Sequence, residues 1–272
     1  MPALLEIEDI HTYFSTNEGI VKAVNGISLS LHENRVLGVV GESGSGKTMT
    51  ALSILQLVPF PGDVVKGKIT YDGQDLLNMP VSQLRRIRGK EISLIFQDAG
   101  AALNPVISVG KQVEELMLEH TDMSKRQARA FAAELLSQMG IPDANEMLDR
   151  YPFQLSGGMA QRVLLAIGVA LKPRILIADE PTSNLDVTLQ AEILHRLRRL
   201  REENGTAIML ITHDLAVVAQ MADTIKVLLK GVEVEEASTV EMLENPKEEY
   251  TKSLWAVRSF ERPQKSRPAF RN

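Results

Sequence analysis

The run Val36-Leu-Gly-Val-Val-Gly-Glu-Ser-Gly-Ser-Gly-Lys-Thr48 decides the fold predicted for this chain. Its first five residues are apolar or glycine, which is typical of a strand buried on both faces of a parallel sheet. Residues 41–48 then fit the pattern G-x-x-x-x-G-K-[ST] of a phosphate-binding loop. A Gly/Ser-rich surface loop is the alternative interpretation. The strand before the motif and the helical pattern after it favour phosphate binding.

The phosphate loop offers several kinds of group to an anion. Its glycines let the backbone curl so that successive N–H groups point at phosphate oxygens. Lys47 is expected to reach the β- and γ-phosphates of a nucleotide, and the Thr48 hydroxyl is expected to bind Mg²⁺. The helix that begins at Thr48 adds the positive end of its dipole. The residues predicted to bind nucleotide here are Gly41, Glu42, Ser43, Gly44, Ser45, Gly46, Lys47 and Thr48.

The composition is that of an ordinary globular protein of one large domain or two small ones. Of 272 residues, 44% are hydrophobic and 24% charged, which argues against disordered and fibrous classes. The chain has no cysteine, so disulfide scaffolds, thiolate metal sites and cysteine nucleophiles are excluded. The longest apolar run is Val163–Leu171, far short of the roughly 20 residues that span a bilayer. With an acidic N-terminus that lacks a signal peptide, these features predict a soluble intracellular chain.

Charge is distributed unevenly along the chain. The net charge of −5 argues against a nucleic-acid partner, since such proteins usually carry a basic face. Residues 251–272 nevertheless contain six basic residues and one acidic residue. We expect a solvated basic tail there, and contact with a partner or an anionic membrane surface is the alternative.

Two kinds of segment alternate in the sequence. Apolar patterns predict strands over Leu4–Phe14, Val21–Leu31, Val36–Gly41, Lys68–Tyr71, Ile92–Gln97, Ile175–Asp179, Ala207–Thr212 and Thr224–Leu229. Helical periodicity predicts helices over Thr48–Val58, Val109–Glu119, Ser124–Met139, Gly158–Leu171 and Asp186–Glu203. A capping box at Ser124 and Gln127, and Gly140 beyond the last turn, mark the ends of one helix.

The order of these segments predicts an inserted subdomain. Strands and helices alternate as far as Gln97, residues 98–171 are almost wholly helical, and alternation then resumes. An α/β domain interrupted by a helical insertion explains this order better than two domains in tandem. We therefore expect a core of residues 1–97 and 172–250, a helical subdomain of residues 98–171, and a tail of residues 251–272.

Polar residues follow three further strands of the predicted sheet. Asp179 and Glu180 end an apolar strand, where Asp179 suits Mg²⁺ and Glu180 suits the general base that deprotonates an attacking water. Gln97 and His213 end two other strands. Taken alone, Gln97 or His213 could be a structural residue whose hydrogen bonds are satisfied within the fold. The two carboxylates alone could mark a strand end that is exposed to solvent. Because ligands of open α/β sheets bind outside the carboxyl ends of the strands, the joint placement favours one site.

A second glycine turn precedes a helix at Leu155-Ser-Gly-Gly-Met159, and it is either another anion site or an ordinary helix cap. Together with the phosphate loop, Gln97, Asp179-Glu180, Ser183-Asn-Leu-Asp186 and Thr212-His-Asp214, it resembles the motif series of an ABC-transporter ATPase subunit. The resemblance covers residues 4–255. It implies an α/β fold with a P-loop NTPase (RecA-like) core, an antiparallel β edge and an inserted helical subdomain, and it implies ATP hydrolysis coupled to transport.

Three stretches resemble the ATPases of the dipeptide, oligopeptide and nickel importer group. They are Ile95–Asp98 with Leu103–Pro105, Tyr151–Gly158 and Asn245–Thr251. The implied substrate is a peptide or a nickel chelate. The alternative function is a soluble ABC-type ATPase of DNA repair or chromosome maintenance. Such proteins need a long coiled coil between the phosphate loop and the signature, whereas only 108 residues without heptads separate Lys47 from Ser156.

The resemblance also implies roles for individual residues, with ATP and Mg²⁺ as cofactors. Phe14 matches the aromatic residue that stacks on adenine, with Tyr13 as the alternative. Gln97 would link Mg²⁺ and the attacking water to the helical subdomain, and His213 would contact the γ-phosphate. The implied catalytic residues are Glu180, His213 and Gln97, and the implied metal-binding residues are Thr48, Gln97 and Asp179. The residues implied to act on the nucleotide of the other subunit are Ser156, Gly157, Gly158 and Asp186.

The implied assembly contains several other subunits. A second ATPase subunit completes the sites, and a heterodimer is expected rather than a homodimer. Two membrane permeases carry the substrate, and an extracytoplasmic solute-binding protein takes part indirectly. No nucleic acid is expected. This assembly implies a peripheral location on the cytoplasmic face of the cell membrane.

Overall fold

The computed structural model describes residues 2–183 and 185–259. Asn184, which belongs to the predicted Ser183–Asp186 motif, and residues 260–272 of the predicted tail lie outside the described residues. The strands are β1 Leu5–Thr16, β2 Gly19–Leu31, β3 Val36–Val40, β4 Gly62–Tyr71, β5 Gln74–Asp75, β6 Ile92–Ile95, β7 Ile175–Asp179, β8 Ala207–Ile211, β9 Thr224–Leu229 and β10 Val232–Ser238.

Eleven α-helices are present among the described residues. They are α1 Lys47–Ile54, α2 Val81–Ile87, α3 Ala99–Ala102, α4 Val109–His120, α5 Lys125–Gln138, α6 Ala144–Met147, α7 Gly157–Val169, α8 Val187–Asn204, α9 Leu215–Met221, α10 Thr239–Glu244 and α11 Glu249–Ser259. A 3₁₀ turn, Pro152–Gln154, precedes α7.

The strands form two sheets. One is antiparallel with the order β2-β1-β4-β5, and the other has the order β10-β9-β3-β8-β7-β6. In the second sheet all neighbouring strands are parallel except β10, which pairs antiparallel with β9. The sequence predicts an antiparallel β edge. In the structure β1, β2, β4 and β5 form a separate antiparallel sheet, and β10 adds an antiparallel edge to the parallel sheet.

The parallel sheet is buried on both faces, as its apolar runs predict. Along β7, Ile175 and Ile177 belong to one apolar cluster while Leu176 and Ala178 belong to another. The first cluster includes residues of the antiparallel sheet and α1, and the second includes residues of α4, α5, α7 and α8. The parallel sheet is thus packed between the antiparallel sheet and a layer of helices.

The helix caps confirm several predicted boundaries. Ser124 and Gln127 form the predicted capping box of α5, and Gly140 follows that helix with a positive φ of 69°. Helix α1 is shorter than predicted, because the chain leaves the helical conformation after Ile54 and Gln56 adopts a left-handed φ of 50°. The sequence pattern also missed β5, β10 and the helices α2, α9, α10 and α11, which are short or mostly exposed.

Between β6 and β7 the described chain forms only helices and turns, as the sequence predicts for residues 98–171. Helix α11 crosses position 250, where the sequence places the start of the tail. No helix among residues 2–183 and 185–259 is both long and apolar enough to cross a membrane.

Candidate functional site

Four motifs meet at one edge of the parallel sheet. The phosphate loop follows β3, His213 follows β8, Asp179 is the last residue of β7 with Glu180 directly after it, and Gln97 lies two residues beyond β6. These strands are consecutive neighbours in the sheet and run in the same direction. Their carboxyl ends therefore share one edge, which is where open α/β sheets bind ligands.

The phosphate loop has a backbone shape that requires glycine. Gly46 has a φ of 100°, and a Cβ atom there would lie 2.6 Å from the backbone oxygen of Ala23 on β2. At Gly41, a Cβ atom would lie 2.2 Å from the oxygen of Leu228 on β9. The loop is thus confined between one strand of each sheet, and residues with side chains do not fit at these two positions.

The Lys47 side chain folds back onto its own loop. Its Nζ atom donates hydrogen bonds to the carbonyl oxygens of Gly41 and Glu42, each at 2.8 Å. Burial lowers the pKa of Lys47, and the charges of Glu180, Asp179 and Glu42 oppose this shift. A phosphate group that enters the loop would replace the two carbonyl oxygens as the acceptor.

Asp179 and Thr48 form the part of the site that fits Mg²⁺. The side chain of Thr48 hydrogen-bonds with Asp179, whose carboxyl group is almost completely buried. Within the described part of the chain, no hydrogen bond reaches the buried Oδ1 atom of Asp179. Burial raises the pKa of this carboxyl group, the Thr48 bond lowers it, and the charge of Glu180 raises it. A buried acceptor of this kind is costly unless a cation or donor binds it, and Mg²⁺ prefers such oxygen ligands.

Glu180 is fixed by the neighbouring strand. Its Oε1 atom accepts from the His213 N–H at 3.0 Å and bonds His213 Nδ1 at 2.7 Å, and its Oε2 atom accepts from the Thr212 hydroxyl at 3.2 Å. The backbone of Glu180 has a left-handed φ of 51°, a conformation that costs about 1–3 kcal/mol. The His213 side chain is 66% exposed, so a ligand can reach its ring while Nδ1 is bound to Glu180.

Gln97 and Phe14 lie apart from this hydrogen-bond network. The side chain of Gln97 is exposed. Phe14 is half-buried on β1, and a Cβ atom at Gly62 would lie 2.6 Å from its ring and 2.7 Å from Val58. The hydroxyl of the alternative aromatic residue, Tyr13, donates to Asn25 at 2.6 Å. Stacking of Phe14 on adenine stays a prediction.

The signature turn and the start of α8 lie side by side. Ser156 caps α7 by accepting from the N–H of Met159, and Asp186 caps α8 by accepting from the N–H of Leu189. A Cβ atom at Gly158 would lie 2.6 Å from Cδ2 of Leu189, so the two helix starts are in contact. At Gly157 a Cβ atom would meet nothing within 4 Å. The Ser156–Gly158 turn therefore lies against the first turn of the helix that Asp186 caps; the resemblance assigns all of these residues to the other subunit's nucleotide.

Two contributing residues were given no role of their own from the sequence. Thr212 holds Glu180, and buried Gln161 on α7 donates to the carbonyl of Pro181 at 2.9 Å, which ties the signature helix to the end of β7. Gln161 could have been noticed as a polar residue inside an apolar helix pattern. Thr212 carries no such signal, because its role depends on the neighbouring strand.

Comparisons with known proteins find relatives among ATP-binding transport proteins. A family model described as ABC transporter matches residues 24–183. The probable D,D-dipeptide transport ATP-binding protein DdpD of Escherichia coli is 42% identical over 252 residues, which cover 92% of this chain and 77% of that protein. The dipeptide transport ATP-binding protein DppD of Bacillus subtilis is 43% identical over 255 residues, with coverage of 93% and 76%.

The fold matches solved structures of ATP-binding cassettes. A dimeric post-hydrolysis state of the cassette MJ0796 bound to ADP and Pi aligns with a TM-score of 0.78 and 27% identity, over 86% of this chain and 98% of that one. These findings confirm the resemblance seen in the motifs. Because the family model covers more than half of the chain and the named relatives match more than nine-tenths of it, the chain belongs to the ABC transporter family, as an ATP-binding and ATP-hydrolysing subunit of the peptide-importer group.

Proposed function

We propose that this subunit hydrolyses ATP to drive the uptake of peptides through two separate membrane permeases, from the cytoplasmic face of the membrane. The observation that carries the proposal is the end of β7, where Asp179 pairs with Thr48 of the phosphate loop and the next residue, Glu180, is held by His213. The relatives named above are dipeptide transport proteins by name, which favours a peptide over the nickel chelate that the sequence left open.

In the proposed mechanism the phosphate loop binds the nucleotide and Glu180 activates water. Lys47 leaves the loop carbonyls to pair with the β- and γ-phosphates. Thr48 and Asp179 would hold Mg²⁺, which neutralises phosphate charge when it is bound. The Glu180 carboxylate accepts a proton from the attacking water, a role for which its neighbour Asp179 is unsuited while it binds the cation.

Three further side chains are assigned by family resemblance and by position. Gln97 connects the catalytic edge to the helices that follow it, because α3 begins only two residues later. His213, with its ring exposed, contacts the γ-phosphate. Phe14 stacks on adenine at the edge of the antiparallel sheet.

The complete site needs a second ATPase subunit. The Ser156–Gly158 turn has no lysine, and its open Gly157 is suited to contact with the nucleotide that another subunit holds. Asp186 caps the helix that this turn contacts, and it acts together with the turn. A heterodimer with a related ATPase is our preference over a homodimer. Ser156→Arg should abolish turnover of the assembled dimer while the isolated subunit keeps its nucleotide affinity; full activity of a strictly monomeric sample would contradict this model.

Coupling to the permeases is proposed to run through Asp98–Pro105. Asp98 caps α3 by accepting from the N–H groups of Gly100 and Ala101, and Val106, just beyond the segment, is 79% exposed. The segment thus begins directly after Gln97 and ends next to an exposed apolar side chain, that of Val106. Charge reversal at Asp98 should uncouple transport from hydrolysis and leave nucleotide binding intact.

The main test compares Glu180→Gln with Lys47→Ala. Glutamine keeps the size of the side chain and an oxygen that can accept from His213, but it cannot act as a base. Loss of general-base assistance should lower turnover by about 10²–10⁴ and leave nucleotide binding intact. Lys47→Ala should instead fail at nucleotide binding. Both variants are measured for affinity and turnover with the second ATPase subunit present. Near-parent hydrolysis by Glu180→Gln would show that the assignment of the base is wrong.

A second experiment tests the substrate class. The subunit, its permeases and the solute-binding protein are reconstituted in vesicles. ATP turnover is then followed with a dipeptide or with a nickel chelate supplied on the side of the membrane opposite to the ATPase subunits. We expect stimulation by the peptide. Stimulation by the nickel chelate alone would contradict the peptide assignment without affecting the ATPase assignment.

A further inference from the structure

The segment that connects α10 to α11 is anchored by a buried carboxylate. Glu235 on β10 accepts from the N–H of Lys247 at 2.8 Å and from the N–H of Glu248 at 3.1 Å. Burial raises the pKa of Glu235, but these hydrogen bonds outweigh burial and lower the pKa overall. The start of α11 is therefore fixed to the edge of the parallel sheet.

This anchored helix places a tyrosine against the phosphate loop. The N–H of Glu42 donates to the hydroxyl oxygen of Tyr250 at 3.4 Å, and the Tyr250 side chain also hydrogen-bonds the Glu42 side chain. The Tyr250 ring packs against an apolar cluster that contains Val40, the last residue before the loop, and Leu215, two residues after His213. Burial is the main cause that raises the pKa of Tyr250, so the phenol is neutral at physiological pH.

Glu42 connects Tyr250 to the catalytic lysine. Its carbonyl oxygen accepts from Lys47 Nζ at 2.8 Å and from the N–H of Ser45 at 3.1 Å, while its N–H group faces Tyr250. When Lys47 turns toward a phosphate, the Glu42 carbonyl loses its contact with the lysine and keeps the one with Ser45. The contact with Tyr250 on the amide side is kept, so a change at Glu42 is passed on to Tyr250.

We propose that Tyr250 is a positioning residue for nucleotide binding, which holds Glu42 so that the phosphate loop keeps its shape when Lys47 releases the loop carbonyls. The inference rests on the proposed nucleotide-binding role of the loop. It also links α11 to the phosphate loop, because Tyr250 lies on α11 and the segment before that helix is held by Glu235 of β10. Occupancy of the loop should therefore change the surroundings of α11.

The experiment uses Tyr250→Phe in the full chain, with Tyr71→Phe as the matched control. Tyr71 on β4 also loses a hydroxyl bonded to a glutamate, Glu91, at 3.0 Å, but it lies in the antiparallel sheet and not beside the phosphate loop. Binding of ADP and ATP with Mg²⁺ is measured by calorimetric titration, and turnover is measured with the second ATPase subunit. Loss of one modest hydrogen bond should raise Kd and KM by about three- to tenfold for Tyr250→Phe. We expect kcat at saturating ATP, and all constants of Tyr71→Phe, to stay within about twofold of the parent.

The only tryptophan of the chain provides a second readout. Trp255 lies one turn beyond Tyr250 on α11 and packs against the same cluster as Val40. ADP should change its emission in the parent and in Tyr71→Phe, and the change should be much smaller in Tyr250→Phe even when the loop is saturated. If the Tyr250 hydroxyl had a merely structural role, ADP at saturation would change the Trp255 emission equally in the parent and in Tyr250→Phe.

Several outcomes would overturn the proposal. They are unchanged Kd in Tyr250→Phe, a loss confined to kcat, and equal weakening in Tyr71→Phe. If Tyr250→Phe does not fold, Glu42→Ala removes the side-chain part of the same contact, and it too should weaken binding and reduce the Trp255 response. Failure of the parent to bind any nucleotide would instead contradict the proposed function, so the two failures are distinguishable.

Discussion

Replacement of Thr212 by valine tests the support of Glu180 directly. Valine has nearly the same shape but lacks the hydroxyl, which donates to Glu180 at 3.2 Å and accepts from the N–H of Asp214 at 2.9 Å. Because Thr212 is only 1% exposed, water does not readily replace the lost group. A hydrogen bond to a charged group contributes about 1.5–3 kcal/mol and a neutral one about 0.5–1.5 kcal/mol. The free energy of unfolding should therefore fall by about 2–4 kcal/mol, which lowers Tm by roughly 5–15 °C.

The same substitution should slow hydrolysis. Glu180 keeps both bonds to His213 but loses the bond that orients Oε2. A carboxylate that is misplaced by a fraction of an ångström loses in-line alignment with water, so kcat should fall by about 10- to 100-fold. Nucleotide affinity, measured by titration, should stay within about twofold of the parent, because the described hydrogen bonds of the Thr212 side chain go to Glu180 and Asp214 and not to the phosphate loop.

Thr212→Ser is the matched control. It retains the hydroxyl and removes one methyl group, at a cost of about 0.5–1.5 kcal/mol. Turnover of the serine variant should therefore remain near that of the parent. Equal turnover of the valine and serine variants would refute the view that the hydroxyl orients Glu180.

Two further predictions concern the cation site and the loop. Burial raises the pKa of Asp179 in the folded protein above its value in the unfolded chain, which is near 3.9. At a pH above the raised pKa the charged carboxylate therefore destabilises the nucleotide-free protein. At a pH below the unfolded value the group is neutral in both states and has no such effect. Asp179→Asn should therefore raise Tm near neutral pH, with a gain that disappears as pH falls through the raised pKa, and it should remove most of the benefit of Mg²⁺ to nucleotide affinity. Gly46→Ala should abolish nucleotide binding, because its Cβ atom would lie 2.6 Å from a backbone oxygen in addition to about 1–3 kcal/mol of strain. Gly44→Ala, with a φ of 77° but open space around it, should bind more tightly than Gly46→Ala in the same titration.

The edge of the sheet could be predicted from sequence because each of its strands is a short apolar run that ends in a polar residue. That pattern identified β3, β6, β7 and β8 and the residues that follow them. It could not predict that β7 and β8 are neighbours, and the bonds from Thr212 and His213 to Glu180 depend on that order. The cap residues Ser124 and Asp186 were predictable because they act within three residues of themselves.

Long-range polar contacts were beyond sequence reasoning. Tyr250 meets Glu42 across 208 positions, and neither residue type indicates the other. The anchor at Glu235 lies on β10, an edge strand with three acidic residues whose pattern is that of an exposed segment. The hydrogen bonds to backbone N–H groups become visible only when β10 and the segment before α11 are placed together.

The contact between Gly158 and Leu189 has a genetic consequence. Since it places the signature turn against the start of α8, each chain of the proposed dimer would contribute one phosphate loop and one surface that contains both the signature turn and Asp186. In a homodimer either substitution alone damages both sites, whereas a Lys47→Ala chain paired with a Ser156→Arg chain combines both lesions in one site and leaves the other site intact. In a heterodimer either substitution alone leaves one site intact, and the two altered chains never share an assembly, so combining the two alleles adds no intact site.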